Sequence, residues 1–413
     1  MQSQIIKKIA EDENISPKVL KIKIDRGKAV LVKNKKRKIK PLTIGEGLRV
    51  KVNANIGAST KNPEIKDELK KLKVAQEAGA DSIMDLSVGG DLKNIRKQIL
   101  AASKLIVGTV PIYEAAVKSE KKYGSFERMT NQDILDVIEA QAKEGVDFFT
   151  IHSGITKKIA NNRKITKRKG GIVSRGGAII SRWIMANQKE NPLYEYFDDI
   201  LDIAKKYDIV LSLGDGLRPG AISDSMDFFQ VSELLNLGIL TEKARKKNVG
   251  IIIEGPGHVP IDQIEANIRM EKEICKNAPF YVLGPLVTDT ALGFDHISSA
   301  IGGALASLYG ADFLCVVTPK EHLGHPNQED IKLGVIAARI AAHSVNLTRN
   351  KRLRKIDEDI STSRKKRDWK KHISLGIYPK AVEGITEKLK FSDACSMCGK
   401  YCSLKIMEDC PLV

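Results

Sequence analysis

Three cysteines near the C-terminus have the most specific spacing in the chain. Cys395-x2-Cys398-x3-Cys402 brings three thiols into one short segment, and thiolates so spaced surround a single metal centre, as in iron–sulfur ligation. Held by three cysteines, such a cluster keeps one iron open to a further ligand. With Cys410 as a fourth ligand the same group would form a closed structural zinc site, and free thiols are the third reading. Two histidines, His258 and His322, follow the carboxylates Glu254 and Glu321. Neutral imidazoles bind zinc or another divalent metal, and two protein ligands would leave positions open for substrate or water; hydrogen-bonding roles compete. Ser174-Arg-Gly-Gly177 offers backbone N–H groups, a hydroxyl and a guanidinium that suit a phosphate. Asp215-Gly-Leu-Arg218 could clamp a ribose or phosphate similarly, and either segment could instead be an ordinary glycine-stabilised turn.

Repeated strand–helix units must position these groups. Apolar runs of strand length recur at 50–56, 82–86, 105–112, 148–152, 209–213, 250–254, 280–286 and 313–317, with amphipathic helical stretches between most of them. Gly79-Ala-Asp81, Gly145-Val-Asp147 and Gly310-Ala-Asp312 repeat one punctuation: a glycine able to end a helix, then a strand. Eight such units predict an α/β fold, a (β/α)8 barrel whose site lies on the loops after the strands. The expected organisation is a small N-terminal appendage at 1–47 (a helix, then a hairpin around Asp25-Arg-Gly-Lys28), the barrel at 48–345, and a helical, cluster-bearing region at 346–413. Asn53, Asn55, Asp85, Tyr113, His152, Asp215, Arg218, Glu254, His258, Glu321 and His322 all fall at or just after predicted strands, and that convergence suits an enzyme. An open doubly wound sheet is the alternative, but neither G-x-G-x-x-G nor a Walker loop is present.

With 413 residues, 42% of them hydrophobic, the chain can bury a large core, which excludes whole-chain disorder. A net charge of +17 raises nucleic-acid binding, but the basic runs contain few aromatics for stacking. Solvated faces and attraction of small anionic substrates account for the charge more economically. The longest apolar stretch, 297–317, is broken by Asp312 and glycines, so no membrane span is expected, and the N-terminus lacks an export-type apolar segment. The expected compartment is the cytoplasm, where thiols stay reduced.

Long segments carry a resemblance to the phosphomethylpyrimidine synthase family, the radical S-adenosylmethionine enzymes of thiamine biosynthesis. They include Lys51-Val-Asn-Ala-Asn-Ile-Gly57, Met84-Asp-Leu-Ser87, Gly108-Thr-Val-Pro-Ile-Tyr113, Gly171-Ile-Val-Ser-Arg-Gly-Gly177, Ser212-Leu-Gly-Asp-Gly-Leu-Arg-Pro-Gly220, Ile253-Glu-Gly-Pro-Gly-His-Val-Pro260, Ala278-Pro-Phe-Tyr281, Thr318-Pro-Lys-Glu-His-Leu-Gly324 and Cys395-Ser-Met-Cys-Gly399. The resemblance implies a barrel acting as a homodimer, an external electron donor, S-adenosylmethionine, and a 4Fe-4S cluster on Cys395, Cys398 and Cys402. It implies conversion of 5-aminoimidazole ribotide to 4-amino-5-hydroxymethyl-2-methylpyrimidine phosphate, with release of formate and carbon monoxide. The implied contacts to this small phosphorylated substrate are Asn55, Met84, Tyr113, His152, Ser174, Arg175, Gly176, Asp215, Gly216, Leu217, Arg218, Glu254 and Tyr281. His258 and His322 match a second metal site, usually taken as zinc. Three departures stand out: the three-residue gap before Cys402, where x4 is common; Thr290, Leu292 and Phe294, where Ile, Pro and Tyr are common; and no counterpart to the N-terminal extension of larger members. The rival readings are 5-hydroxybenzimidazole synthase, which uses the same ribotide, and a basic nucleic-acid-binding protein with a C-terminal zinc knuckle.

Overall fold

A computed structural model describes residues 2–382 and 397–408. The chain divides into two compact units, Met1–Val345 and Asn346–Val413. The first begins with helices Gln2–Glu13 and Pro17–Asp25 and an antiparallel pair, β1 (Ala29–Val32) and β2 (Leu42–Gly45). Eight parallel strands follow: β3 (Lys51–Ile56), β4 (Ser82–Asp85), β5 (Ile106–Thr109), β6 (Phe148–Ile151), β7 (Val210–Leu213), β8 (Ile251–Gly255), β9 (Phe280–Leu283) and β10 (Phe313–Cys315). They pair in chain order, and β10 closes on β3 to complete a barrel. The strands are apolar rather than alternating because both faces are covered, by helices outside and by side chains such as Phe148 and Phe313 within.

Each of the eight predicted runs overlaps a barrel strand, and seven contain theirs whole. The appendage differs from its expectation. Pro17, at the first position of a helix, starts a second helix where one was expected. The residues around Asp25-Arg-Gly-Lys28 join that helix to β1, and the loop between β1 and β2 is the Lys-rich 33–41. Pro41 ends that loop, because β2 begins at the next residue.

The repeated Gly-x-Asp triplets do more than end helices. Gly79 and Gly145 have positive φ (93° and 106°) and terminate their helices. Each following aspartate then stitches its strand to the preceding one. Asp81 accepts from the Val52 amide (2.9 Å), Asp147 from Val107 (2.8 Å) and Asp312 from Phe280 (3.1 Å). The appendage caps this end of the barrel. Glu13 accepts from the Arg49 amide and pairs with the fully buried Lys51 (2.9 Å), and the Asn34 amide donates to Asp147. Ile9, Ala10, Leu20, Ala29 and Leu48 form the small core beneath it.

The second unit contains helices Lys351–Lys365 and Trp369–Ser374, a 3-10 turn at Gly399–Tyr401 and a short helix at Ser403–Glu408. Arg367 pairs with Glu408 within it. Among the described residues no helix is long and apolar enough to cross a membrane.

Candidate active site

At the C-terminal end of the strands lies a cavity of about 340 Å3. Asn55, Met84, Tyr113, His152, Arg175, Asp215, Arg218, Glu254 and Tyr281, all predicted contacts, line it. Asn55, Met84, Glu254 and Tyr281 sit on the strands themselves. Tyr113 lies in the first turn of the Pro111–Tyr123 helix, with the Arg175 guanidinium 4.9 Å above its ring.

The other predicted contacts, Ser174, Gly176, Gly216 and Leu217, stand behind that wall. Ser174 caps the Arg175–Asn187 helix by accepting from the Gly177 amide, so this segment is a helix N-terminus, which favours an anion. The Ser174 hydroxyl lies 3.1 Å from His152 Nε2. Burial, with Arg218 adding to it, pushes the His152 pKa down to about 3, so the imidazole is neutral. Two glycines are required by close approach. A Cβ at Gly176 would lie 2.2 Å from the His152 ring, and one at Gly177 would lie 2.1 Å from the Gly216 carbonyl oxygen. The helix N-terminus and the 215–218 turn thereby meet.

Acid–base groups crowd beside this turn. Glu254 Oε1 accepts from Thr150 (2.7 Å) and Ser212 (2.6 Å), while burial and the nearby Asp215 push its pKa up to about 7. Burial raises Asp215 too, although Arg218 donates to it at 3.0 Å. Asn53, held by Ser82, donates to the Tyr281 hydroxyl at 2.7 Å. Sequence reasoning missed Cys315, which lines the cavity at the end of β10, 3.1 Å from Asn55 Nδ2. Burial pushes its thiol up to about 12, so it stays protonated. Its place at a strand end was the available signal.

Behind the 215–218 turn, Glu233 accepts from the amides of Gly216 (2.9 Å) and Leu217 (2.7 Å), and Arg168 donates to the Leu217 carbonyl (2.9 Å). Neither was anticipated.

His258 and His322 come together, with ring centroids 5.1 Å apart. Each Nδ1 faces a carboxylate: Asp289 at 2.7 Å from His258 and Asp295 at 3.2 Å from His322. A carboxylate on Nδ1 fixes the tautomer that leaves Nε2 free as a ligand, so this pair fits a divalent metal. The two aspartates lie in the 288–296 segment, whose departures at 290, 292 and 294 had drawn attention instead. Leu292 and Phe294 are exposed, and Thr290, Leu292 and Phe294 do not line the cavity. Among the described residues, no three His, Cys, Asp or Glu side chains form a metal-holding group.

Of the cysteine motif, Cys395 lies outside the described residues. Cys398 and Cys402 are free thiols flanking the Gly399–Tyr401 turn, the first exposed and the second buried. As thiol donors separated by one turn, they fit ligation of a cluster.

A second cavity, about 420 Å3, shares Asn55, Leu86, Arg175 and Glu321 with the first and is also lined by Gly57, Val88, Val316, Thr318 and Pro326. The Thr318 hydroxyl is buried there with no hydrogen-bond partner.

Residues 1–409 match the Radical SAM ThiC family. The chain is 51% identical over 405 residues to a phosphomethylpyrimidine synthase of Thermodesulfovibrio yellowstonii, covering 97% of this chain and 95% of that one. It is 49% identical over 407 residues to a phosphomethylpyrimidine synthase of Methanocaldococcus jannaschii, covering 98% and 96%. A solved dihydropteroate synthase from Thermus thermophilus is similar at a TM-score of 0.43 and 14% identity, over 76% of this chain and 98% of that one, too remotely to bear on function. With a barrel of eight parallel strands, a polar cavity at its C-terminal end and sequence agreement along almost its entire length, the chain belongs to the Radical SAM ThiC family and is an enzyme of that family.

Proposed function

We propose that the protein converts 5-aminoimidazole ribotide to 4-amino-5-hydroxymethyl-2-methylpyrimidine phosphate in the cytoplasm, making the pyrimidine of thiamine. The observation that carries this reading is the cavity itself. An anion-favouring helix N-terminus adjoins the 215–218 turn, and carboxyl, phenol, amide and thiol groups line the same cavity, sized for a small heterocycle.

A 4Fe-4S cluster on Cys395, Cys398 and Cys402, reduced by an external donor, supplies when bound the electron that splits S-adenosylmethionine into methionine and a hydrogen-abstracting radical. The chain's own residues bind, orient and shield. Ser174, Arg175, Gly176 and the 215–218 turn hold the phosphate and ribose, aided by the neutral His152. Glu254, with a pKa near neutrality, can hold or release a proton beside the ring, and Asn55, Met84, Tyr113 and Tyr281 enclose it. The adjoining cavity suits the nucleoside half of S-adenosylmethionine, with Thr318 as a hydrogen-bonding group. His258 and His322 would hold zinc or another divalent ion, oriented by Asp289 and Asp295.

Region 1–47 serves as a cap, 48–345 as the catalytic barrel and 346–413 as the cluster carrier. A homodimer is supported by apolar side chains left exposed on two helices: Phe228, Leu235 and Ile239 on Phe228–Lys246, and Ile297, Ile301 and Leu308 on Asp295–Tyr309.

The test is anaerobic incubation of the reconstituted protein with the ribotide, S-adenosylmethionine and a reductant, followed by mass spectrometry. The expected product is the pyrimidine phosphate, with formate and carbon monoxide. A benzimidazole product would overturn this reading.

A further inference from the structure

We propose that Glu233 and Arg168 are positioning residues that set the spacing between segments 174–176 and 215–218; this rests on the reading that those segments hold the ribotide. Neither residue lines the cavity. Glu233, on the Phe228–Lys246 helix, is 2% exposed and spends both carboxylate oxygens on consecutive amides, Gly216 and Leu217. Two adjacent N–H groups on one carboxylate fix the peptide plane between them. That plane sets the directions in which Asp215 and Arg218, on either side, leave the turn toward the cavity.

Arg168 makes the second tie. Its guanidinium donates to the Leu217 carbonyl (2.9 Å) and to the Gly171 carbonyl (3.1 Å), three residues ahead of Ser174, while its Nε lies 2.8 Å from an Asp227 carboxylate oxygen. A planar, forked donor can span two carbonyls in this way; an ammonium on a flexible stem cannot hold both at fixed angles. A third contact closes the frame. Gly177 packs on the Gly216 carbonyl so tightly that no side chain fits between them. Segments some 40 residues apart in the chain are thus tied by one buried guanidinium, while one buried carboxylate anchors the 215–218 turn to the Phe228–Lys246 helix.

Burial of these polar groups argues for a role in positioning. An apolar residue at 233 would pack into the helix interface without a desolvation cost, whereas the carboxylate is costly there and its hydrogen bonds go only to the backbone of this turn. Misplacing a binding group by about an ångström is enough to cost up to about a hundredfold in rate.

The test uses the full-length chain. Binding of 5-aminoimidazole ribotide is measured anaerobically by calorimetry without the cluster, and KM and kcat are then measured after reconstitution. Glu233→Gln keeps the shape but turns an amide donor toward one of the two N–H groups. Its ribotide affinity is expected to fall about tenfold or more, with KM rising by a similar factor and kcat changing less than about threefold. Glu233→Asp, which keeps two acceptor oxygens, is expected to bind more tightly than Glu233→Gln. Wild-type protein that fails to bind the ribotide would defeat the functional reading and this proposal together. Wild-type binding with unchanged affinity in Glu233→Gln would overturn the proposal alone. If Glu233→Gln does not fold, Arg168→Lys carries the same expectation, and unchanged affinity and KM in that variant are equally fatal.

Discussion

At the N-terminal end of the barrel, Lys51 is fully buried but bonded to Glu13, Asp81 takes Arg49 and the Val52 amide, Asp147 takes two amides, and Asp312 takes Lys272 and the Phe280 amide. At the C-terminal end, His152 Nδ1, Asp215 Oδ2, Arg218 Nε and Thr318 Oγ1 are buried with no hydrogen-bond partner. Both ends carry buried charge. At the first, the chain answers most of its own charged groups, with Arg37 Nη1 left over; at the second it leaves atoms for something else to answer, and unmatched buried polar atoms in a folded protein call for such an explanation. The first end reads as stability and the second as function, the division expected of a barrel of this kind.

The sharpest way to break this contrast is to truncate one charge at each end and compare what is lost. Arg218→Ala removes a guanidinium that faces the cavity and bonds to Asp215. It should lower kcat/KM about a hundredfold or more, because a buried, hydrogen-bonded charge is removed from a binding site, while the unfolding midpoint moves by only a few degrees. Steady-state kinetics beside thermal unfolding gives both numbers, and a variant that loses stability but keeps kcat/KM would erase the distinction.

Lys51→Ala should do the reverse. It strands the Glu13 carboxylate, 8% exposed, without its cation. The expected cost is about 3–5 kcal/mol, seen as a shifted denaturation midpoint, with KM for the ribotide unchanged. Joint replacement by Lys51→Met and Glu13→Leu should recover most of the loss, since an apolar pair has no charge to strand. If the double variant is no better than the single one, the pair is not what holds the cap in place.

Much of the functional end was readable in the chain because the chemistry there is local. Val50 to Ile56 carries Asn55, which faces the cavity, and Ser174 sits at a helix start where its hydroxyl and the glycines after it already suggest an anion site. The strands were readable because apolar runs bounded by glycine and aspartate leave few other folds. What could not be read depends on contacts far apart in sequence. Glu233 looks like one charge on a long helix until Gly216 is packed against it, and Asp289 looks like a loop residue until His258 arrives. The hairpin in the appendage was misplaced because Arg26-Gly27 is as good a turn signal as the Lys-rich 33–41 loop, and only pairing of β1 with β2 selects the latter.

Glu271 is an exception that can sharpen the contrast. It lies on the Ile264–Ile274 helix, 0% exposed, and neither carboxylate oxygen has a hydrogen-bond donor; the Lys272 ammonium is 4.0 Å away and engaged by Asp312. Burial pushes its pKa up to about 8, from an ordinary 4.5. The folded protein therefore holds this proton more tightly than the unfolded chain does. The resulting stabilisation of the protonated form is fully present below about pH 4.5 and is lost as pH rises through 8. Glu271→Gln has nearly the same shape and no charge at any pH. Its unfolding midpoint should exceed wild type by a few degrees at pH 8 and match it closely at pH 5. Equal midpoints at both values would mean that the carboxyl has a donor after all, such as an internal water in the cavity of about 20 Å3 it shares with Gln230 and Asn267, a volume sufficient for one molecule. In that case Glu271 would join the groups that are answered.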